Sequence, residues 1–165
     1  MHRSISNVLF VSEENGCRSL LAEACLNHLG KGKLRAFSCG VPGQVTEKPF
    51  SWTVLALQTA SIPTTNLRCK PWTEFTRNGA LKMDFVVALD NDSFTSHPIW
   101  PGQPVTALWD YEHIEGRSKR RTDAGISALQ TLMSLRRRIE LLVSLHARAK
   151  TRGDLQHDLR DLSHV

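Results

Sequence analysis

Apolar residues fall into short dense runs that alternate with longer stretches of helical period. Asn7 to Val11 (N-V-L-F-V) is an apolar, β-branched run of strand type. Ser12 to Arg18 (S-E-E-N-G-C-R) is a short polar loop containing one glycine. From Ser19 onward Leu21, Ala22, Cys25, Leu26 and Leu29 recur at helical spacing, and Gly30 is placed to stop the helix. Lys33 to Gly40 reads as a second strand. Two strands flanking a helix of about a dozen residues make a βαβ unit, which implies parallel pairing. Pro42 to Lys48 is turn-rich. Pro49 to Ile62 carries a helical pattern with Phe50, Val54, Leu57 and Ile62, and Pro63 ends it. Thr65 to Pro71 is a connector, followed by a short helix over Trp72 to Thr76. Asp84 to Asp90 (D-F-V-V-A-L-D) is the third strand, nearly continuous in apolar residues as a central parallel strand should be. Asn91 to Gly102 reads as a loop, Pro104 to Leu108 as a shorter fourth strand, and Trp109 to Arg121 as a polar loop. A long helix is expected from Asp123, its cap. Ile126, Leu129, Leu132, Met133, Ile139, Leu142 and Val143 form its apolar stripe, and Arg136 to Arg138 run their stems along the edge of that stripe. The polar tail after Thr151 is expected to be partly frayed.

This alternation predicts an open, doubly wound α/β fold of flavodoxin-like type. Four parallel strands carry helices on both faces, in one domain over residues 1–150 followed by a tail over 151–165. Ligands of such sheets bind outside the carboxyl ends of the strands. Three loops leave that edge: Ser12 to Arg18, Leu89 to Asp92, and Leu108 to Glu112. The first is a strand, a tight loop and a helix start, whose unpartnered N–H groups and helix dipole favour an anion. Arg18 adds a planar fork of donors suited to phosphate or arsenate.

Composition narrows the remaining classes. The chain has 165 residues, enough for one domain with a real core. No apolar run approaches the ~20 residues of a membrane helix. The N-terminal M-H-R-S-I-S-N has no apolar core of a signal peptide, so the expected location is cytoplasmic. Cys17, Cys25, Cys39 and Cys69 form no C-x-x-C pair and have no metal-ligand spacing, which suits free thiols in a reducing compartment. The histidines are scattered singly. Neither a metal nor a cofactor is expected. The net charge of +5 comes largely from Arg117, Lys119, Arg120, Arg121 and from Arg136 to Arg138. No aromatic residues interleave them as a single-strand platform requires, so solvated faces are preferred over a nucleic-acid surface.

The spacing within the first loop brings in a family. V-L-F-V-S-x5-R-S-x2-A-E-A resembles the phosphate-binding loop of low-molecular-weight protein tyrosine phosphatases and of the arsenate reductases that share their fold, which carry C-x5-R-[ST] there. S-C-G at residues 38–40 resembles the family's S-A-G, and M-D-F-V-V-A-L at 83–89 resembles a strand of the arsenate reductase branch. H-P-I-W-P-G-Q-P-V-T-A-L-W at 97–109 is similar to that branch's C-P-V-W-P-G-x-P-x-x-A-H-W. L-R-R-R-I-E-L-L at 135–142 resembles its closing helix. The resemblance implies an oxyanion cradle over Glu13, Glu14, Asn15, Gly16, Cys17, Arg18 and Ser19. It puts Ser12 at the position of the nucleophilic cysteine and Asp110 at the position of a general acid. The implied partner is phosphate, arsenate or a sulfate-like anion, free or on a phosphorylated protein.

Ser12 changes the chemistry. A helix N-terminus and an arginine stabilise a thiolate, but they do not ionise a hydroxyl, which needs an adjacent base. Arsenate reduction also needs sulfur, and the relay positions hold His97 and Leu89-Asp90-Asn91. Cys17 is misplaced relative to Arg18 for in-line attack. Glu13 and Glu14 are the second departure. A carboxylate about 7 Å from an anion repels each unit of its charge by roughly 0.5–2.5 kcal/mol. They either face solvent and weaken the pocket, or one of them serves Ser12 as a base or pairs with Arg18. Asn15 tolerates the left-handed backbone of such loops, and Ser19 is within reach of position 12. Asp110 is either an acid or a turn residue.

Three readings follow. The first is a divergent family member that binds an oxyanion with little or no turnover. The second is an active phosphatase or arsenate reductase whose cysteine was exchanged for Ser12. The third is an interaction module in which the basic Arg117 to Arg121 loop is the contact surface.

Overall fold

The computed structural model describes residues 5–114, 121–148 and 151–165. The basic loop from Arg117 to Lys119 and Arg120, with the side chain of Arg121, lies outside the described residues. Four strands, β1 (Ser6–Val11), β2 (Leu34–Cys39), β3 (Phe85–Ala88) and β4 (Val105–Leu108), pair in parallel in the order β2-β1-β3-β4. The expected flavodoxin-like sheet is therefore present. The helices are α1 (Arg18–Leu29), α2 (Ser51–Thr59), α3 (Thr73–Thr76), α4 (Asn91–Ser96), α5 (Arg121–Arg148) and α6 (Arg152–Asp161). No helix among the described residues is long and apolar enough to cross a membrane.

The period of two in β1 divides the core. Val8 and Phe10 join the larger cluster, built with Leu21, Leu26, Leu57, Leu132 and Leu159 from α1, α2, α5 and α6. Leu9 and Val11 face a smaller cluster with Phe75, Met83 and Trp100. α1 lies between the sheet, α2 and α5, and every residue from Arg18 to Leu26 is buried. Burial therefore extends beyond the helical stripe of Leu21, Ala22, Cys25 and Leu26 to the polar Arg18, Ser19 and Glu23.

Tertiary packing altered five expectations. The segment after β3 is not all loop: Asp90 accepts from Ser93 N and caps α4. Asp123 is not the cap of the long helix, which begins at Arg121 and holds Asp123 in its first turn. The buried stripe of α5 is Ala124, Ala128, Leu132, Leu135, Ile139 and Leu142, while Ile126 and Met133 are exposed. Arg138 does not run along an edge; it is buried. Its Nη2 donates to the main-chain oxygens of Ser163 (3.3 Å) and Val165 (3.1 Å), and its Cζ lies 4.9 Å from the Tyr111 ring centre.

The segment after Thr151, expected to be partly frayed, is helical over Arg152–Asp161. Thr151 and Asp154 form a capping box. Leu159 and Leu162 are buried in the core, and Trp109 Nε1 donates to Leu159 O (3.3 Å). Leu155 packs against the same core, so three leucines and one indole hydrogen bond anchor this otherwise largely polar segment.

Candidate oxyanion site

β1 delivers Ser12 to the carboxyl edge of the sheet, and the segment after β2 grips the loop from outside. Ser12 N donates to Cys39 O (3.2 Å). Val41 N and Thr46 N donate to the carbonyls of Glu13 and Glu14 (3.0 Å each). Asn15 adopts φ +53°, a left-handed conformation that its short amide side chain tolerates. That side chain is fully buried and its polar atoms are bonded. Nδ2 donates to Ser19 Oγ (2.7 Å) and Ser38 Oγ (3.0 Å), and Oδ1 accepts from Lys70 N (2.9 Å). Gly16 has no room for a side chain, since a β-carbon there would lie 2.5 Å from Phe50 Cε2 and 2.8 Å from Thr46 Cγ2. Its carbonyl accepts from Thr53 Oγ1 (2.7 Å) and Phe50 N (3.1 Å), tying the loop to the start of α2. Cys17 is the N-cap residue of α1, without a side-chain capping bond.

Ser12 is buried, and its hydroxyl lies 2.5 Å from Ser19 Oγ. Among the described residues no carboxylate or imidazole hydrogen-bonds to it. Neither Glu13 nor Glu14 hydrogen-bonds to it, and neither pairs with Arg18. Arg18 is held by Asp90 instead: Nη2 lies 3.2 Å from Asp90 Oδ2, and Nη1 donates to Tyr111 O (3.0 Å). The same Asp90 Oδ2 accepts from Glu13 N (2.8 Å), and Oδ1 accepts from Ser93 N (2.8 Å). One carboxylate thus joins the loop backbone, its arginine and the start of α4. Asp90 was missed as a site residue. Its signal was the D-x-x-S pattern of a helix cap directly after an apolar strand.

Asp110, where the resemblance implied a general acid, behaves differently. Trp109 N and Tyr111 N extend the β4 ladder to Ala88 O (2.8 Å) and Leu89 O (2.9 Å), which carries Asp110 to an exposed position. Asp110 does not line the cavity over the loop. His113 and Ile114 do, and His113 Nε2 lies 3.7 Å from Glu14 Oε1. With Phe50 they cover Ser12, Cys17 and Arg18 so closely that the cavity measures about 10 Å³. That is about the space one water needs. A cavity of about 700 Å³ between α2 and α5, around Leu55, Ile126 and Leu129, shares no residue with the loop.

The thiols are chemically quiet. Burial pushes Cys17 up to about 11, with Thr53 and the Arg18 charge offsetting only part of it. Burial likewise raises Cys25 to about 11 and shifts Cys39 and Cys69 upward. All are thiols at neutral pH, where catalysis would need thiolate. Among the described residues no group of three or more histidine, cysteine, aspartate or glutamate side chains could hold a metal.

The fold and the site define a doubly wound α/β protein with a strand–loop–helix cradle at the end of its first strand. The chain belongs to the low molecular weight phosphotyrosine protein phosphatase family, whose sequence model matches residues 7–123. It is 26% identical over 114 residues to a glutaredoxin arsenate reductase of Synechocystis, covering 69% of this chain and 82% of that protein. Among solved structures it resembles an arsenate reductase from Archaeoglobus fulgidus, with a TM-score of 0.63 and 23% identity over 83% of this chain and 98% of that one. It also resembles an arsenate reductase in the phosphate binding state, with a TM-score of 0.63 and 20% identity over 84% and 97% of the two chains. At these identities the structural likeness speaks for the fold alone.

Proposed function

We propose that this protein is a family member that binds a phosphate- or arsenate-type oxyanion in the Ser12 to Arg18 loop without thiol-dependent turnover. The observation that carries this reading is the hydrogen bonding of Ser12. Its hydroxyl meets Ser19 Oγ at 2.5 Å and no base, inside a loop that keeps a left-handed Asn15 and a buried Arg18. An alcohol so placed can donate to an anion but does not become an alkoxide. Support for the anion comes from the phosphate binding state of an arsenate reductase that shares the fold. The closed cavity implies that an anion enters by displacing the Phe50 and His113 side chains, so affinity is weak. A phosphorylated protein as the natural source of the anion belongs to the same reading.

Phosphate titration by NMR and aryl phosphate hydrolysis, measured side by side on the protein and on Ser12→Cys, test it. The expected result is saturable phosphate binding by both forms, no hydrolysis by the serine form, and measurable hydrolysis by the cysteine form. Hydrolysis by the serine form, or absence of any saturable binding, overturns the reading.

A further inference from the structure

Arg138 carries its positive charge into the core and meets no side-chain carboxylate among the described residues. Its Nε and Nη1 are buried without a hydrogen-bond partner there. The guanidinium is satisfied in two other ways. Nη2 donates to Ser163 O (3.3 Å) and Val165 O (3.1 Å), in the 3-10 turn over Leu162–His164 and just after it. Cζ lies 4.9 Å from the ring centre of Tyr111 and 5.9 Å from that of Trp109, whose electron-rich faces attract a cation. A buried charge is costly unless it is paired and hydrogen-bonded. The guanidinium therefore keeps its buried place only while the closing turn supplies oxygen. Without those two carbonyls it turns outward and leaves both rings.

Tyr111 is where this contact meets the anion loop. Its main-chain carbonyl accepts from Arg18 Nη1 (3.0 Å), the second hold on that arginine after Asp90. Tyr111 N donates to Leu89 O (2.9 Å), and the Tyr111 hydroxyl lies 3.0 Å from Ser134 Oγ. The main-chain bond fixes one side of the residue. The ring, held between Arg138 and Ser134, fixes the Cα–Cβ direction. Together they fix where the carbonyl carbon lies. Trp109, two residues earlier, is tied to the same closing segment, because its Nε1 donates to Leu159 O (3.3 Å). Both aromatic residues that leave β4 are thus held by residues 159–165. That segment lies beyond residues 7–123, which the family's sequence model matches.

We infer that Arg138 is a positioning residue of the anion site: it passes the docking of residues 162–165 to Tyr111 and, through the Tyr111 carbonyl, to Arg18. The closing turn is an intramolecular clamp, and drawing it off its seat loosens the arginine. An arginine that only stabilised the fold would leave Arg18 unchanged for as long as the protein stayed folded. The inference deepens the oxyanion-binding reading, and its effect on affinity rests on that reading. Its effect on Arg18 does not.

The test uses the whole protein with Arg138→Met, which removes the charge and keeps an unbranched chain, and Leu162→Ala, which unseats the closing turn and leaves Arg138 in place. Two variants are controls. Leu26→Ala truncates a buried leucine beside Gly30, at the far end of α1 from Arg18. Arg136→Met removes a neighbouring charge that pairs with Glu140. Two quantities are read on folded protein by NMR: the rate of rotation about the Arg18 Nε–Cζ bond, from exchange between its Nη1 and Nη2 signals, and the Kd for inorganic phosphate. In Arg138→Met and Leu162→Ala the rotation is expected to quicken and the Kd to rise, each by about tenfold or more, the effect of losing one hydrogen bond to a charged group. Both controls are expected to stay within about twofold. If rotation is unchanged in either folded variant, or quickens equally in Leu26→Ala, the inference is overturned. Faster rotation with an unchanged Kd overturns the role in anion binding. If the unsubstituted protein binds no phosphate yet rotation responds as expected, the oxyanion reading falls and the clamp on Arg18 stands. Should Arg138→Met fail to fold, Leu162→Ala decides by the same criterion.

Discussion

Asp90 and Asp110 occupy matching positions at the edge of the sheet. Ala88 pairs with Leu108 at the ends of β3 and β4, and each aspartate follows two residues later. Their fates are opposite. Asp90 is buried, pairs with Arg18, accepts from Glu13 N and caps α4. Asp110 is exposed and does not line the cavity. Residue type and register are the same, so the difference lies in what stands opposite each carboxylate. β3 is flanked by β1, whose loop presents Arg18 and an unpaired N–H to the residue leaving β3. β4 is an edge strand, and the residues leaving it have a strand neighbour on one side only. A carboxylate at this edge joins the site when its strand is flanked by the one that carries the loop.

The sharpest way to break this comparison is Asp90→Ala. Removing one partner of a buried ion pair costs about 3–5 kcal/mol, and here it also frees two backbone N–H groups. A fall of that size in the urea unfolding free energy is expected, together with loss of any phosphate binding. A cost below 1 kcal/mol would mean that Asp90 does not hold the loop. Leu159→Ala probes the other element whose role was hidden, the closing helix α6. A fully buried leucine truncated to alanine costs about 2–5 kcal/mol, read in the same unfolding experiment. An unchanged midpoint would mean that α6 does not pack on Trp109. Asp110→Ala supplies the small end of the scale. An exposed side chain without special contacts changes stability by less than about 0.5 kcal/mol. In the Ser12→Cys background it should leave aryl phosphate hydrolysis within about twofold. A drop of about a hundredfold, the lower range for loss of a general acid, would restore Asp110 to that role.

Much of the fold was legible because it rests on local rules. The apolar runs of β1 to β4 and the βαβ spacing specify a parallel sheet, and the glycine and proline signals end α1 and α2. In the loop, Asn15 at φ +53° and Ser19 within 2.5 Å of Ser12 follow from residue type and spacing within eight residues. What failed was long-range. Asp90 meets Arg18 across seventy-two positions of sequence, and Lys70 reaches Asn15 across fifty-five. The stripe of α5 was drawn through Ile126 and Met133 because they are large and apolar, yet the face of the helix that the fold buries carries Ala124 and Ala128. The polar tail was expected to be partly frayed because Leu159 and Leu162 look isolated until Trp109 and α5 stand beside them.

The sequence by itself determined the sheet, the strand–loop–helix unit between β1 and α1, the family, and a hydroxyl at position 12. Each is written in contiguous residues, where backbone preference and hydrophobic period act. Only the tertiary structure decided which carboxylate holds Arg18, which backbone N–H meets the Asn15 carbonyl, and how little space remains above the loop. Those outcomes depend on which side chains from distant segments are buried together, and burial is what makes a charge costly when alone and firmly placed when paired.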